Sequence, residues 1–163
     1  MSIEKNTEDI EFMREALAEA KTGYSEGEVP IGAVAVRNGR ILARGHNQRR
    51  LLNDLTAHAE MMCLRKIGPF LDDLDLSDIT IYSTLEPCSM CAGAMVHYRI
   101  GRVVFGAKDL RLGASGSKLD LLCTNGIEVV SGVLDNECRE VLYRFFEHEL
   151  GKPSKSWEDI ELE

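Results

Sequence analysis

The sequence predicts an α/β domain, and three observations carry that prediction. Asn38-Gly39, the strongest short hairpin signal, separates two apolar runs near the N-terminus. Beyond it, strand-like and helix-like segments alternate, the pattern of parallel strands covered on both faces. At 163 residues the chain is one ordinary domain, long enough for a real core but short of two.

The first element spans residues 7 to 24, where Ile10, Met13, Leu17, Ala20 and Tyr24 recur at spacings of three and four. With acids near its start and Lys21 near its end, it reads as an amphipathic helix that suits its own dipole. Gly27 and Pro30 end it. Ile31 to Val36 and Ile41 to Arg44 then form antiparallel strands around the Asn-Gly turn. A polar loop with Asn47, Arg49, Arg50, Asn53 and Asp54 leads to Thr56, a cap for a helix from Ala57 to about Ile67. Pro69 and the acidic stretch Asp72 to Asp78 precede a short strand, Ile79 to Thr84. Pro87 suits the first turn of a helix that carries Cys88 and Cys91 and continues to about Tyr98. Val103 to Phe105 form a strand, Gly106 to Ser117 a glycine-rich loop, Ile127 to Val130 a last strand, and Asp135 to Glu149 a long helix.

Composition narrows the function classes. Hydrophobic residues make up 44% of the chain, yet no apolar run approaches membrane-spanning length. The N-terminus lacks the basic-then-apolar plan of a signal peptide, so a cytoplasmic protein with no membrane partner is expected. Five cysteines are an odd count for disulfides in such a chain. Cys63 and Cys138 read as buried apolar residues on helices, and Cys123 falls in a loop. The net charge is −8, and no basic cluster stands out beyond Arg49-Arg50. A protein that grips folded RNA carries a basic face, so the bulk charge favours a small neutral substrate.

The chemistry lies in His58-Ala59-Glu60 and in Pro87-Cys88-Ser89-Met90-Cys91. His58, Cys88 and Cys91 supply three ligands for a zinc ion, and the fourth position is left to a reacting water, as in catalytic rather than structural sites. Cysteines three apart share a helix face, and a helix N-terminus favours thiolate over thiol. His58 and Glu60, two apart, diverge on a regular helix and so belong to its first turn, with Glu60 beside the metal rather than on it. A carboxylate in that place can take a proton from water and deliver it to a ring nitrogen and then to a departing amine. Met61, Met62, Met90 and Met95 sit at helical spacing and read as packing more readily than as a pocket lining. His46 reads as a local turn contact, and His97 and His148 as non-ligands.

The combined order, with Pro directly before the first Cys, is the signature of zinc-dependent base deaminases. The chain resembles the cytidine/deoxycytidylate-type deaminase superfamily, especially the branch with bacterial tRNA adenosine deaminases and fungal cytosine deaminases. The likeness runs from about Glu8 to the C-terminus and includes Val29-Pro-Ile-Gly-Ala-Val, Gly45-His-Asn47, Thr56-Ala-His-Ala-Glu60 and Thr84-Leu-Glu-Pro-Cys88. It implies a three-layer α/β/α sandwich with a mixed five-stranded sheet, a Zn2+ cofactor, a homodimer, Glu60 as proton shuttle, and Asn47 in contact with the base. A zinc-stabilised pairing subunit without activity is the non-enzymatic alternative, and the presence of Glu60 speaks against it.

Two features pull the substrate in different directions. The block Phe105-Gly-Ala-Lys-Asp109 resembles tRNA adenosine deaminases, in which the Asp that matches Asp109 lies near the flipped nucleotide. The tail Ser156-Trp157-Glu158-Asp159 resembles fungal cytosine deaminases, in which a Trp and a base-bonding Asp close over the pocket, and residues 151–163 are expected to act as such a lid. Trp157 stands two residues before Asp159 where that branch has three, and the pocket Phe of that branch falls on or near Arg111. Together with the net charge, the tail leads to free cytosine as the expected substrate. The alternatives are adenosine-to-inosine editing at the wobble position of tRNA, and deamination of guanine or another aminated ring.

Overall fold

The computed structural model describes residues 6–71 and 75–150. Its core is a five-stranded mixed sheet in the order β2-β1-β3-β4-β5, with β1 Gly32–Arg37, β2 Arg40–His46, β3 Ile79–Leu85, β4 Arg102–Ala107 and β5 Glu128–Ser131. Asn38 and Gly39 both have positive φ, at 51° and 73°, the backbone that a tight hairpin between β1 and β2 requires. The strands after the hairpin, β3, β4 and β5, pair in parallel as expected. β3 pairs antiparallel with β1, which makes the sheet mixed. The connection from β2 passes through a helix and returns beside β1 rather than beside β2, so β1 lies antiparallel between two strands that run the same way.

Helices cover both faces, giving the three layers that were expected. One face holds α1 (Thr7–Ser25) and α6 (Asp135–Leu150), whose Met13, Leu17, Leu142 and Phe145 pack on Val34, Tyr82 and Val104. The opposite face holds α3 (Ala59–Lys66) and α4 (Ser89–Tyr98), whose Cys63, Leu64, Ala92 and Met95 pack on Ala33, Ala35, Ile81 and Val103. Alternate residues of β1, β3 and β4 thus enter opposite cores, so their sequences read as nearly continuous apolar runs. Small residues bring the helices close. A Cβ on Gly45 would lie 2.6 Å from the Ala59 carbonyl oxygen, so only glycine lets β2 approach the start of α3. No helix among the described residues is long and apolar enough to cross a membrane.

Two short helices, α2 (Arg49–Leu52) and α5 (Leu121–Thr124), occupy segments that read as loops, because four residues are too few to show a period. Helix starts also differ from expectation. Thr56 does not cap α3; its hydroxyl donates to Asp54 Oδ1 at 2.7 Å, and His58 is the N-cap. Pro87 lies before α4 rather than in it, and Cys88 is the N-cap with extended backbone.

An ion pair ties α1 to β4. Arg102 donates to both Asp9 oxygens at 2.7 Å, and the Tyr82 hydroxyl donates to Oδ1 at 2.8 Å. Burial opposes ionisation of Asp9, but the Arg102 guanidinium and the Tyr82 hydroxyl outweigh it and hold the carboxyl below its usual value. Arg102→Met is expected to destabilise the fold by about 3 kcal/mol near pH 7, the low end for a broken buried pair because Arg102 keeps 25% of its side chain exposed. The pair stabilises above the unfolded carboxyl value and loses that contribution as pH falls through the lowered folded value. Thermal melts should therefore show a larger gap between wild type and variant at pH 7 than near pH 3.

Candidate metal centre and active site

The N-termini of α3 and α4 meet at the C-terminal end of β3, and their caps are the metal-ligating residues. His58 caps α3 with φ −71° and ψ 154°, and Cys88 caps α4 with φ −73° and ψ 175°. Extended backbone at both caps turns the side chains inward, and Cys91 follows in the first turn of α4. His58 Nδ1 lies 3.6 Å from Cys88 Sγ and 3.6 Å from Cys91 Sγ, and all three ligand atoms fall within 4.8 Å of one another.

The donor set fits zinc. With Zn–S of about 2.3 Å and Zn–N of about 2.1 Å, tetrahedral angles require a sulfur–nitrogen separation of roughly 3.6 Å, the distance found on both edges. The protonation chemistry agrees. Cys91 donates to Cys88 and His58 assists, so the Cys88 thiol is pulled down to about 4, while the same pairing and burial push Cys91 up. His58 is raised mainly by its bond to Cys88. Two thiols this close do not both ionise without a cation between them, and a dication at a pair of helix N-termini supplies that charge.

Glu60 sits in the first turn of α3, 4% exposed, with Oε2 3.6 Å from Cys91 Sγ and Oε1 accepting from Ser83 Oγ at 3.2 Å. Burial raises its pKa above the usual carboxylate range, which favours a carboxyl that takes up a proton. The ligands open on a cavity of about 230 Å3 lined by Val29, Ile31, Asn47, Glu60, Glu86 and Asp109 among others. Pockets for drug-sized ligands run from roughly 300 Å3 upward, so this smaller one suits a single flat nucleobase. Asn47 is 3% exposed and Asp109 4%.

Six of the eight expected site residues thus converge: His58, Cys88, Cys91 and Glu60 at the centre, Asn47 and Asp109 on the cavity wall. Trp157 and Asp159 lie outside the described residues, as does the rest of the expected lid. The four methionines named above do not line the cavity, and Met95 is fully buried in the core. His46 makes no local turn contact; its Nδ1 and Nε2 bond the carboxylates of Glu19 and Glu26 at 2.9 and 2.8 Å, pinning β2 to α1 beside Asn47. Cys63 and Cys138 are buried, and Cys123 is exposed.

Sequence reasoning passed over two buried carboxylates that shape the walls. Glu28 accepts from the backbone N–H groups of Arg50 and Leu51 at 3.2 and 2.7 Å and so anchors α2, which places Arg49 at the cavity. Glu86, directly before Pro87, accepts from the backbone of the 109–117 loop. Neither has a sequence signal beyond adjacency to a motif.

Comparison with known proteins places this geometry. The model of the cytidine and deoxycytidylate deaminase zinc-binding region matches residues 6–107. The chain is 47% identical over 154 residues to a tRNA-specific adenosine deaminase of Bacillus subtilis, covering 92% of this chain and 95% of that one. It is 44% identical over 144 residues to the tRNA-specific adenosine deaminase of Haemophilus influenzae, covering 85% and 83% respectively. A solved structure from a study of A-to-I editing by tRNA:A34 deaminases at the wobble position superimposes with a TM-score of 0.76 at 42% identity, covering 81% of this chain and 99% of that one. These relatives overturn free cytosine as the expected substrate. That expectation rested on tail residues outside the described structure and on net charge, a sum over the whole surface that says little about one face. The chain belongs to the cytidine and deoxycytidylate deaminase family and is a zinc-dependent hydrolytic deaminase.

Proposed function

We propose that the enzyme converts adenosine to inosine in tRNA, at the wobble position of the anticodon. The observation that carries this reading is the 47% identity to a tRNA-specific adenosine deaminase across nearly the full length of both chains. The cavity supports it physically. A pocket with room for one nucleobase and a mouth at the surface admits a nucleotide only when its base is turned out of the stack. Asn47 and Asp109 on the walls are the groups that hydrogen-bond the base, and Glu60 is the proton shuttle.

His58, Cys88 and Cys91 would hold the zinc ion, which when bound would supply the Lewis acidity that makes a water nucleophilic near neutral pH. Glu60 accepts a proton from the attacking water and delivers it to N1 of the purine. The new C6–O bond forms as the ring loses aromaticity. A second transfer through Glu60 protonates the amine, the C6–N bond breaks, and ammonia departs to leave inosine. Ser83 holds Oε1 of Glu60, which keeps the carboxylate aimed along this path.

Local charge supports an RNA partner where net charge did not. Lys108 and Lys118 are exposed on either side of the Asp109 loop, and Arg111 between them is partly buried. Lys108→Ala and Lys118→Ala are each expected to raise KM for an anticodon stem-loop and to lower the slope of log KM against log salt by up to about 1, with kcat little changed. The homodimer implied by the resemblance belongs to the same proposal. Leu51, Leu52 and Leu55, exposed at 64%, 48% and 73%, form an apolar stretch that a second copy would cover, and sedimentation velocity would test it.

The deciding experiment measures ammonia and inosine from purified, zinc-loaded protein. An adenosine-bearing anticodon stem-loop would be run beside cytosine, cytidine, adenine and guanine. Inosine in the RNA with the small substrates inert supports the proposal, and turnover of a free base with the RNA untouched overturns it.

A further inference from the structure

The geometry points to Glu86 as a positioning residue that holds the Asp109 wall of the base pocket in register with the zinc-binding turn. This rests on the functional reading above and adds to it a residue that the zinc site does not require.

Glu86 is 2% exposed, and its partners are four groups of one loop. Oε2 accepts from the Asp109 backbone N–H at 2.9 Å and from the Ser117 hydroxyl, while Oε1 accepts from the N–H groups of Ser115 and Ser117 at 3.1 and 3.0 Å. Among the described residues no cation pairs with it. A buried carboxylate is tolerated without a counter-charge only when N–H and O–H donors surround it, as here. An apolar side chain would leave three loop N–H groups and the Ser117 hydroxyl without an acceptor, so the carboxylate is explained by what it holds.

What it holds is the pocket wall. The loop wraps so tightly that a Cβ on Gly113 would lie 2.4 Å from the Glu86 carboxyl carbon. Asp109 is clamped at its backbone by Glu86, and its own Oδ1 accepts from the Arg111 and Leu112 N–H groups at 3.0 and 3.1 Å, which orients the side chain from both ends. On the other side Glu86 leads directly into Pro87 and Cys88. The Pro87 carbonyl accepts from Ala114 N–H at 2.8 Å, and Cys88 pairs with Gly113 in an isolated bridge. One residue thus couples the position of Asp109 to the position of a zinc ligand.

The test replaces Glu86 with Gln, whose amide presents a donor to groups that all donate. In the full zinc-loaded chain, Glu86→Gln is expected to keep one zinc per protomer and to lose between about 10-fold and 100-fold in kcat/KM on the adenosine stem-loop. Acting through the Asp109 wall, it should cost little further in an Asp109→Ala background, whereas a purely structural role would cost the same in both. Activity within twofold of wild type, or full additivity with Asp109→Ala, overturns the inference. Should Glu86→Gln lose zinc or fail to fold, Ser117→Ala decides. A several-fold loss in kcat/KM with zinc retained, absent in the Asp109→Ala background, supports the role, and unchanged kinetics reject it. If wild type itself does not edit the stem-loop, the functional reading fails instead, and the same variants are compared on whichever substrate it does turn over.

Discussion

Glu60→Ala is expected to keep its zinc and its fold while turnover falls by about 10⁴-fold, the upper range for removal of a positioned acid–base group. The geometry sets this expectation. Glu60 is buried beside the metal-ligating triad but is not one of it, so its loss removes the proton path without removing a ligand. In the proposed reaction two proton transfers depend on it, one to the ring and one to the leaving amine. Single-turnover kinetics with zinc analysis would check both halves. A variant with intact zinc and turnover near wild type would sink the assigned role.

Cys91→Ala is expected to abolish zinc retention and measurable turnover together. Cys91 is fully buried, and its sulfur is one of the two within 3.6 Å of His58 Nδ1. The remaining His58 and Cys88 leave a two-ligand site, too open to hold the ion against a chelator. Because metal bound to the folded state stabilises it by mass action, wild type at zinc 1,000-fold above its Kd should gain about 4 kcal/mol that the variant lacks. Calorimetric melts with and without added zinc would show a shift for wild type and none for Cys91→Ala. Zinc-dependent full activity in the variant would mean that another residue completes the site.

Both predictions rest on residues that were legible in the sequence, and the reason is chemical. Metal ligation uses few residue types at short spacings, so His-x-Glu with Pro-Cys-x-x-Cys carries its meaning locally. Periodicity likewise revealed the long helices and the hairpin, because burial on one face repeats along the chain. Legibility ended where partners are distant or are backbone. Glu86 and Glu28 act on amide groups more than twenty residues away, and amide groups leave no trace in residue identity. The capping roles of His58 and Cys88 were hidden for the same reason, since a good capping residue such as Thr56 stood near and was taken up by an Asx contact instead.

Substrate choice shows the limit most clearly. Net charge and the tail both spoke for a small base, while full-length relatives and the loop with Asp109 speak for RNA. Charge summed over a chain has no direction, whereas an RNA would meet only one face, and Lys108, Arg111 and Lys118 belong to the segment that carries Asp109.

The sequence by itself determined the fold class, the three residues placed to hold zinc, and Glu60, Asn47 and Asp109 as residues of the same site. Tertiary structure decided the antiparallel pairing of β3 with β1, the size of the cavity, and the two buried carboxylates that set its walls. The division follows range. Ligand type and hydrophobic period are properties of neighbouring residues, whereas a cavity exists only where segments far apart in the chain close around it.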